Sequence, residues 1–413
     1  MIPSVSSRRI DQSCGADALV RVRPPGRTLA LTLSSKVCFI VAALVSLTIT
    51  ATAQPKRARD LGVPLEGTPG PLNAITDIAG IEVGHTTLIE GASVRTGVTV
   101  VWPRGKQSDD PAFGGWFSLN GNGEMTGTTW LEESGFLDGP ILITNTHSVG
   151  TVRDAYIAWQ VEDKRKPGTN SFGGGFWSLP IVAETYDGFL NDTNGFHVKP
   201  QHVAQALDSA ARGRVPEGNV GGGTGMICFG FKGGIGTSSR IAGQYRVAAL
   251  VQCNCGSKRQ LRIAGAPVGQ DLANQPVAST GAKPLEDRGS IIIVVATDAP
   301  LLPTQTKRLA RRASLGLARL GATSGNGSGD IFIAFSTANP NIAKPTGGIA
   351  TLSMLSNDSL GPIFDATVQA VEEAIVNALV AAEDMTGIDG HKVTALPHDA
   401  LQQTLKKYNR LTQ

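Results

Sequence analysis

The sequence predicts an α+β protein whose helices and strands pack in layers around one core. Three observations carry that prediction. Segments 303–321 and 364–384 repeat apolar residues at helical spacing: Leu309, Ala313, Leu317 and Leu320 on the first, and Val368, Val371, Ile375, Leu379 and Ala382 on the second. Short β-branched runs bounded by Gly, Pro or Asp recur along the chain, and the clearest, Ile291 to Ala296, is apolar throughout. No internal repeat is present, and the strands that neighbour one another in sequence look antiparallel.

The first 53 residues read as an address. Arg8, Arg9, Arg21, Arg23, Arg27 and Lys36 precede the apolar run from Val37 to Thr50, and Ala51-Thr52-Ala53 is a small-x-small site that a signal peptidase would cut before Gln54. The run suits a signal peptide better than a membrane span, which needs about 20 residues. Its basic region is long, so an early start or an uncleaved anchor is the alternative. Arg8-Arg9 lies too far from the run for a twin-arginine signal. The leader holds six of the 37 Lys and Arg and two of the 34 Asp and Glu, leaving 31 basic against 32 acidic residues, a net charge of −1. The basic excess belongs to the address, and nothing argues for nucleic acid. The expected location is the periplasm or the exterior, with no stable membrane association after leader removal.

One domain, 54–413, is expected to follow. The chain is irregular to about Leu72, then strand-rich, with a strand at Gly97–Pro103 and another over 141–150. A helix over 151–163 takes Thr151 as its N-cap. In "IVAETYDGFLND", Glu184 and Tyr186 share one face of a predicted strand. Pro200 opens a helix and Gly213 lies past its end. Segments 225–234 and 245–254 read as two strands of a hairpin joined by the Gly/Ser-rich stretch 235–244. Val268 to Arg288 turns polar and Pro/Gly-rich, and a loop of about 20 residues inside a compact protein is either functional or flexible. The strand from Ile291, the helix over 303–321, a strand over 330–338 and the helix over 364–384 complete the chain.

Cys14 and Cys38 leave with the leader. Cys228, Cys253 and Cys255 remain and read as small buried apolar side chains, with Cys253 and Cys255 too far apart along a strand to bridge easily. No cysteine pair has metal-ligand spacing and the six histidines form no H-x-x-x-H pattern, so neither a metal nor another cofactor is expected.

Familiar catalytic signatures are missing. There is no G-x-S-x-G elbow, no Gly-Lys-Ser/Thr of a Walker motif, and "GGGTG" (221–225) lacks the third glycine of a dinucleotide fingerprint. Three unusual places remain. Gly289-Ser290 stands between the long polar loop and a core strand. "SGNGSGD", Ser324 to Asp330, presents Ser328 and Asp330 just ahead of another. Glu184 and Tyr186 interrupt an apolar stretch.

Together with "GNGEMTG" (121–127), "NTHSVGTVRDA" (145–155), "NVGGGTGM" (219–226) and "KGGIGTSSR" (232–240), these features make the chain resemble the L-aminopeptidase/D-esterase (DmpA) family, which includes the β-aminopeptidases. The likeness runs in order from about Gly80 to Ala382. It implies a four-layer αββα sandwich, similar to the N-terminal-nucleophile hydrolases but differently connected. It also implies a precursor that cuts itself at Gly289–Ser290 into fragments 54–289 and 290–413. Ser290 then becomes an N-terminal nucleophile whose own α-amine serves as base, so no histidine is needed. By resemblance, Ser328 and Asp330 hydrogen-bond around that amine, Asn254 supplies an oxyanion donor, Tyr186 is its hydroxyl-bearing partner, and Glu184 holds the substrate's free amino group. Glycine at 289 is expected to allow a strained or left-handed backbone that turns the scissile carbonyl toward the hydroxyl. His147 reads as structural; Met125 and Trp130 suit the pocket wall and core packing equally. A homo-oligomer, a tetramer by resemblance, is expected.

The implied activity is release of an N-terminal amino acid from small peptides, amides or esters. Two rivals are a self-cleaving acyltransferase of the ornithine acetyltransferase type and a non-catalytic periplasmic binding protein on the same scaffold.

Overall fold

Two face-to-face sheets, each covered on its outer side by helices, make up the protein. The computed structural model describes residues 55–163, 177–273, 289–344 and 346–412. The expected leader and the part of the polar loop from 274 to 288 lie outside them. The strands in chain order are β1 (Glu82–Glu90), β2 (Val94–Trp102), β3 (Ala112–Ser118), β4 (Phe136–Leu137), β5 (Ile141–Asn145) and β6 (Ile181–Thr185). They continue with β7 (Ile227–Cys228), β8 (Phe231–Lys232), β9 (Gly234–Ala242), β10 (Tyr245–Asn254), β11 (Ser290–Thr297) and β12 (Ile331–Ser336). The helices in chain order are α1 (Thr128–Ser134), α2 (Val149–Asp163), α3 (Pro200–Ser209), α4 (Val268–Asp271), α5 (Pro303–Arg319), α6 (Gly361–Ala381) and α7 (His398–Lys407).

One sheet has the order β1-β2-β5-β6 and the other β4-β3-β12-β11-β10-β9. Helices α2 and α3 cover the first, α5 and α6 the second. This is the expected αββα sandwich. Strand β11 shows why its run had to be apolar on both sides. Ile291, Ile293 and Val295 pack with α5 and α6, while Ile292, Val294 and Ala296 pack against the facing sheet with Val101, Ile143 and Ile181.

Several local expectations need correction. Segment 235–244 is not a loop: it forms β9, joined to β10 by a tight turn. Its small residues let α6 sit down on the sheet. A Cβ at Gly236 would lie 2.0 Å from the Ala374 carbonyl, and Ser238 Oγ donates to the Ala370 carbonyl at 2.6 Å. Segment 225–234 forms instead the short ladder β7–β8. The cap before α2 is Asn145, whose Oδ1 accepts from Ser148 N at 3.0 Å; Thr151 is already inside the helix. Helix α3 ends at Ser209, short of Gly213. On α6, Val368 is only half-buried, and the side beside the expected stripe, toward β9, is buried as well: Glu373 pairs with Arg240 (2.6 Å) and Arg59 (2.8 Å), and Asn377 accepts from Ala58 N at 3.0 Å and donates to the Thr237 carbonyl at 2.9 Å. Cys228 and Cys253 are not separate apolar fillers but a disulfide, with Cys255 a buried thiol 3.9 Å from Cys253 Sγ. Neighbouring strands β7 and β10 bring together cysteines that are 25 positions apart in sequence.

Candidate active site

Strand β10 ends where β11 and β12 begin, so three neighbouring strand ends meet at one end of the larger sheet, away from its edge strands. The antiparallel register sets Asn254 directly across from Ser290, and β12 runs parallel on the other side of β11. Ser290 is buried, and its Oγ accepts a hydrogen bond from Gly329 N at 3.2 Å. Glycine at 289 has a reason other than the expected one. Its backbone is not left-handed; instead a Cβ there would sit 2.1 Å from the Asn254 carbonyl and 2.7 Å from Cys255 Cα. The chain entering Ser290 is pressed against the end of β10.

Asn254 is held at both ends of its amide. Oδ1 accepts from Ile227 N at 2.7 Å, and Nδ2 donates to the Tyr186 carbonyl at 3.0 Å. A primary amide has two N–H groups, so one remains to serve a substrate oxygen. Tyr186 thus contributes its carbonyl to this contact. The residue is 48% exposed, and its ring folds over Gly188, where an added Cβ would lie 2.2 Å from the hydroxyl oxygen. The strand stops at Thr185, so Glu184 and Tyr186 do not share a strand face: Glu184 is buried and Tyr186 is out at the rim.

Ser328 and Asp330 lie on the turn entering β12, both buried, with Ser328 Oγ donating to Asp330 Oδ1 at 2.7 Å. A hydroxyl that gives its proton to a carboxylate presents its lone pairs to an incoming N–H.

Glu184 comes from the other sheet, at the C-terminal end of β6, beside Thr144 in the parallel ladder with β5. Its Oε1 accepts from Glu124 N at 3.0 Å and its Oε2 from Thr146 Oγ1. Burial pushes the Glu184 carboxyl above its ordinary range, the two hydrogen bonds pull it back, and the charges of Glu124 and Asp187 add to the rise. No cation pairs with it among the described residues, so a bound ammonium would relieve a real desolvation cost. Next to Tyr186, the fully buried Asp187 accepts from Asn145 (3.0 Å) and Asn191 (3.1 Å); burial lifts it to about 6 against the pull of Thr96, Asn145 and Asn191. Asn145 therefore braces the turn carrying Thr146 and the one carrying Tyr186.

The two sheets' contributions are joined by loop 119–124. Leu119 N donates to the Asp330 carbonyl (3.0 Å), Asn122 N to the Ser328 carbonyl (3.2 Å) and Asn122 Nδ2 to the Gly327 carbonyl (2.8 Å). That loop then delivers Glu124 N to Glu184.

All seven expected residues, Gly289, Ser290, Asn254, Ser328, Asp330, Glu184 and Tyr186, fall at this one end of the sandwich. Thr146, Asn145, Gly123, Gly329 and Asp187 are further members; each sits inside a motif already singled out, but as backbone or bracing groups that no catalytic signature marks. His147 is exposed and stacks on Phe196 (centroids 5.9 Å apart). Met125 belongs to the core between the sheets, and Trp130 donates Nε1 to Asp138 at 3.1 Å on α1.

A profile of Peptidase family S58 matches residues 73–393. The chain is 54% identical over 382 residues to the beta-peptidyl aminopeptidase BapA of Sphingosinicella microcystinivorans, covering 87% of this chain and 94% of that protein. Its namesake from Sphingosinicella xenopeptidilytica is 47% identical over 391 residues, covering 89% and 95%. Among solved structures, the L-aminopeptidase D-Ala-esterase/amidase of Ochrobactrum anthropi, described as a prototype of serine aminopeptidases and a variant of the Ntn hydrolase fold, matches with a TM-score of 0.80. It is 47% identical, over 86% of this chain and 99% of that one.

Proposed function

The chain belongs to Peptidase family S58, and on that premise we propose that Ser290 is a self-generated N-terminal nucleophile releasing N-terminal residues from small peptides, amides or esters. The protein is a hydrolase, an aminopeptidase. The observation that carries the residue assignment is the setting of Ser290: a buried hydroxyl at the head of a central strand, with Gly329 N–H on its Oγ, Asn254 across the ladder, and a preceding residue that has room only for hydrogen.

Self-cleavage begins with Ser290 Oγ attacking the Gly289 carbonyl carbon. The C–N bond breaks, the serine proton passes to the departing nitrogen, and Gly289 becomes an ester on Oγ. Water hydrolyses that ester, giving a carboxylate on Gly289 and a free amine and hydroxyl on Ser290. In turnover the amine, with an ordinary pKa of about 8, takes the Oγ proton as Oγ attacks the substrate carbonyl. Asn254 Nδ2 donates to the developing oxyanion. The substrate's leaving amine takes a proton and departs, and water releases the acyl group. Ser328, polarised by Asp330, accepts from the N-terminal amine and orients it. Gly289→Ala should slow processing at least tenfold, because its methyl has no room beside Asn254; intact mass of freshly purified protein reads the uncut fraction.

Glu184 would anchor the substrate's ammonium and make the enzyme an exopeptidase. Glu184→Gln should raise KM for free-amine p-nitroanilides roughly tenfold to a hundredfold, the worth of a charged hydrogen bond, with kcat changed less. The pH dependence has a definite sign. A raised carboxyl pKa means the charge is lost sooner as pH falls, so wild-type KM should climb on the acid side while the Gln variant stays flat. An unchanged KM in the Gln variant would remove Glu184 from the role. The apolar leader pattern supports export, and a homo-oligomeric state belongs to the same reading.

A further inference from the structure

A short bridge of bare backbone links the nucleophile to the amine anchor. Gly329 N–H donates to Ser290 Oγ (3.2 Å), Gly329 abuts Gly123, and the next residue's N–H, Glu124 N, donates to Glu184 Oε1 (3.0 Å). Neither glycine can gain an atom without cost. A Cβ on Gly329 would lie 2.4 Å from the Asn122 carbonyl and 2.7 Å from Gly123 Cα. One on Gly123 would lie 3.0 Å from Gly329 Cα and 3.2 Å from Glu184 Oε1, between the two functional groups. The paired loops are held in register by Asn122, through its N–H to the Ser328 carbonyl and its Nδ2 to the Gly327 carbonyl. The distance between anchor and nucleophile is therefore set by two glycines in contact, one in the loop that follows β3 and one at the head of β12, with the anchor itself on β6 of the facing sheet.

We infer that the Gly123–Gly329 contact is a specificity ruler: it fixes the span between the substrate's ammonium and its scissile carbonyl, and so decides how many backbone carbons fit between them. This rests on Glu184 being the amine anchor and Ser290 the nucleophile. An α-amino acyl group places one carbon between nitrogen and carbonyl, and a β-amino acyl group two, a difference of one C–C bond, about 1.5 Å. A reacting group misplaced by about 1 Å can lose about a hundredfold in rate, so small changes of span should be read as changes of selectivity.

A methyl at Gly123 pushes Glu184 and Gly329 apart by a few tenths of an ångström, which lengthens the span. In the processed Gly123→Ala enzyme, the ratio of kcat/KM for β-alanine p-nitroanilide over L-alanine p-nitroanilide should rise roughly five- to tenfold. A ratio that stays within twofold of wild type, or falls, overturns the ruler even if both rates drop. Should Gly123→Ala fail to process itself, Asn122→Ala replaces it. Loss of the clamp to Gly327 should then move the ratio at least threefold toward one, and an unmoved ratio overturns the inference. Glu184→Gln run beside them separates the two readings: if its KM for both substrates matches wild type, the anchor assignment is what failed. A raised KM there with an unmoved ratio in the glycine variant rejects the ruler alone.

Discussion

Ser290→Ala should purify as one uncut chain with no measurable turnover, whereas the wild type should yield two fragments that remain together. The loss should be at least about 10⁴-fold, as expected when a nucleophile acting in concert with its base is removed. The substitution deletes the attacking oxygen for both reactions, while the strand it heads keeps all its packing atoms. Ser290 Oγ accepts one hydrogen bond, from Gly329 N, and its loss leaves the core of β11 intact. Far-ultraviolet circular dichroism and thermal melting should therefore resemble those of the wild type. Active wild-type protein found as a single uncut chain would end the mechanism.

Asn254→Ala is the second large effect. Removing one oxyanion donor typically costs about 10²–10³ in kcat, and the same donor is expected to serve the Gly289 carbonyl during processing, so uncut precursor should accumulate as well. KM should move much less, because the donor acts on charge that develops only in the transition state. There is a structural cost too. Ile227 N loses its acceptor and the Tyr186 carbonyl its donor, at roughly 1–3 kcal/mol per unsatisfied group. Stability and kcat must therefore be measured on the same preparation. A variant that melts lower but turns over at the wild-type rate would show that Asn254 is only a brace.

Much of the sandwich was legible because strands and helices announce themselves locally. The run Ile291–Ala296 could only be a strand buried on both faces, and α5 carried its apolar stripe at the spacing observed. The errors arose where tertiary contact sets composition. Gly236 and Ser238 resemble a loop, but they are small because α6 lies on them. Gly289 suggests a strained or left-handed backbone, but it is small because β10 ends against it. The candidate site divides in the same way. Ser290, Ser328 and Asp330 stand at strand heads, where a short motif marks them. The bracing by Thr146, Asn145 and Asp187 depends on the parallel pairing of β5 with β6, and the Glu124 contact of Glu184 on a loop from the facing sheet, and no single stretch of sequence records either pairing.

The strand order has a consequence beyond catalysis. In the larger sheet, β11 and β12 lie between β3 on one side and β10 on the other. With the cut proposed at Gly289–Ser290, the two middle strands would belong to one polypeptide and their flanking strands to another. Assembly that was a folding reaction of one molecule becomes a meeting of two, with the entropy of association added to every attempt. The precursor can search for its structure at any dilution, whereas its severed descendant, once unfolded, must find a partner first. Activation by that cut would work as a ratchet: each copy would fold while joined, and thereafter keep its form by not letting go.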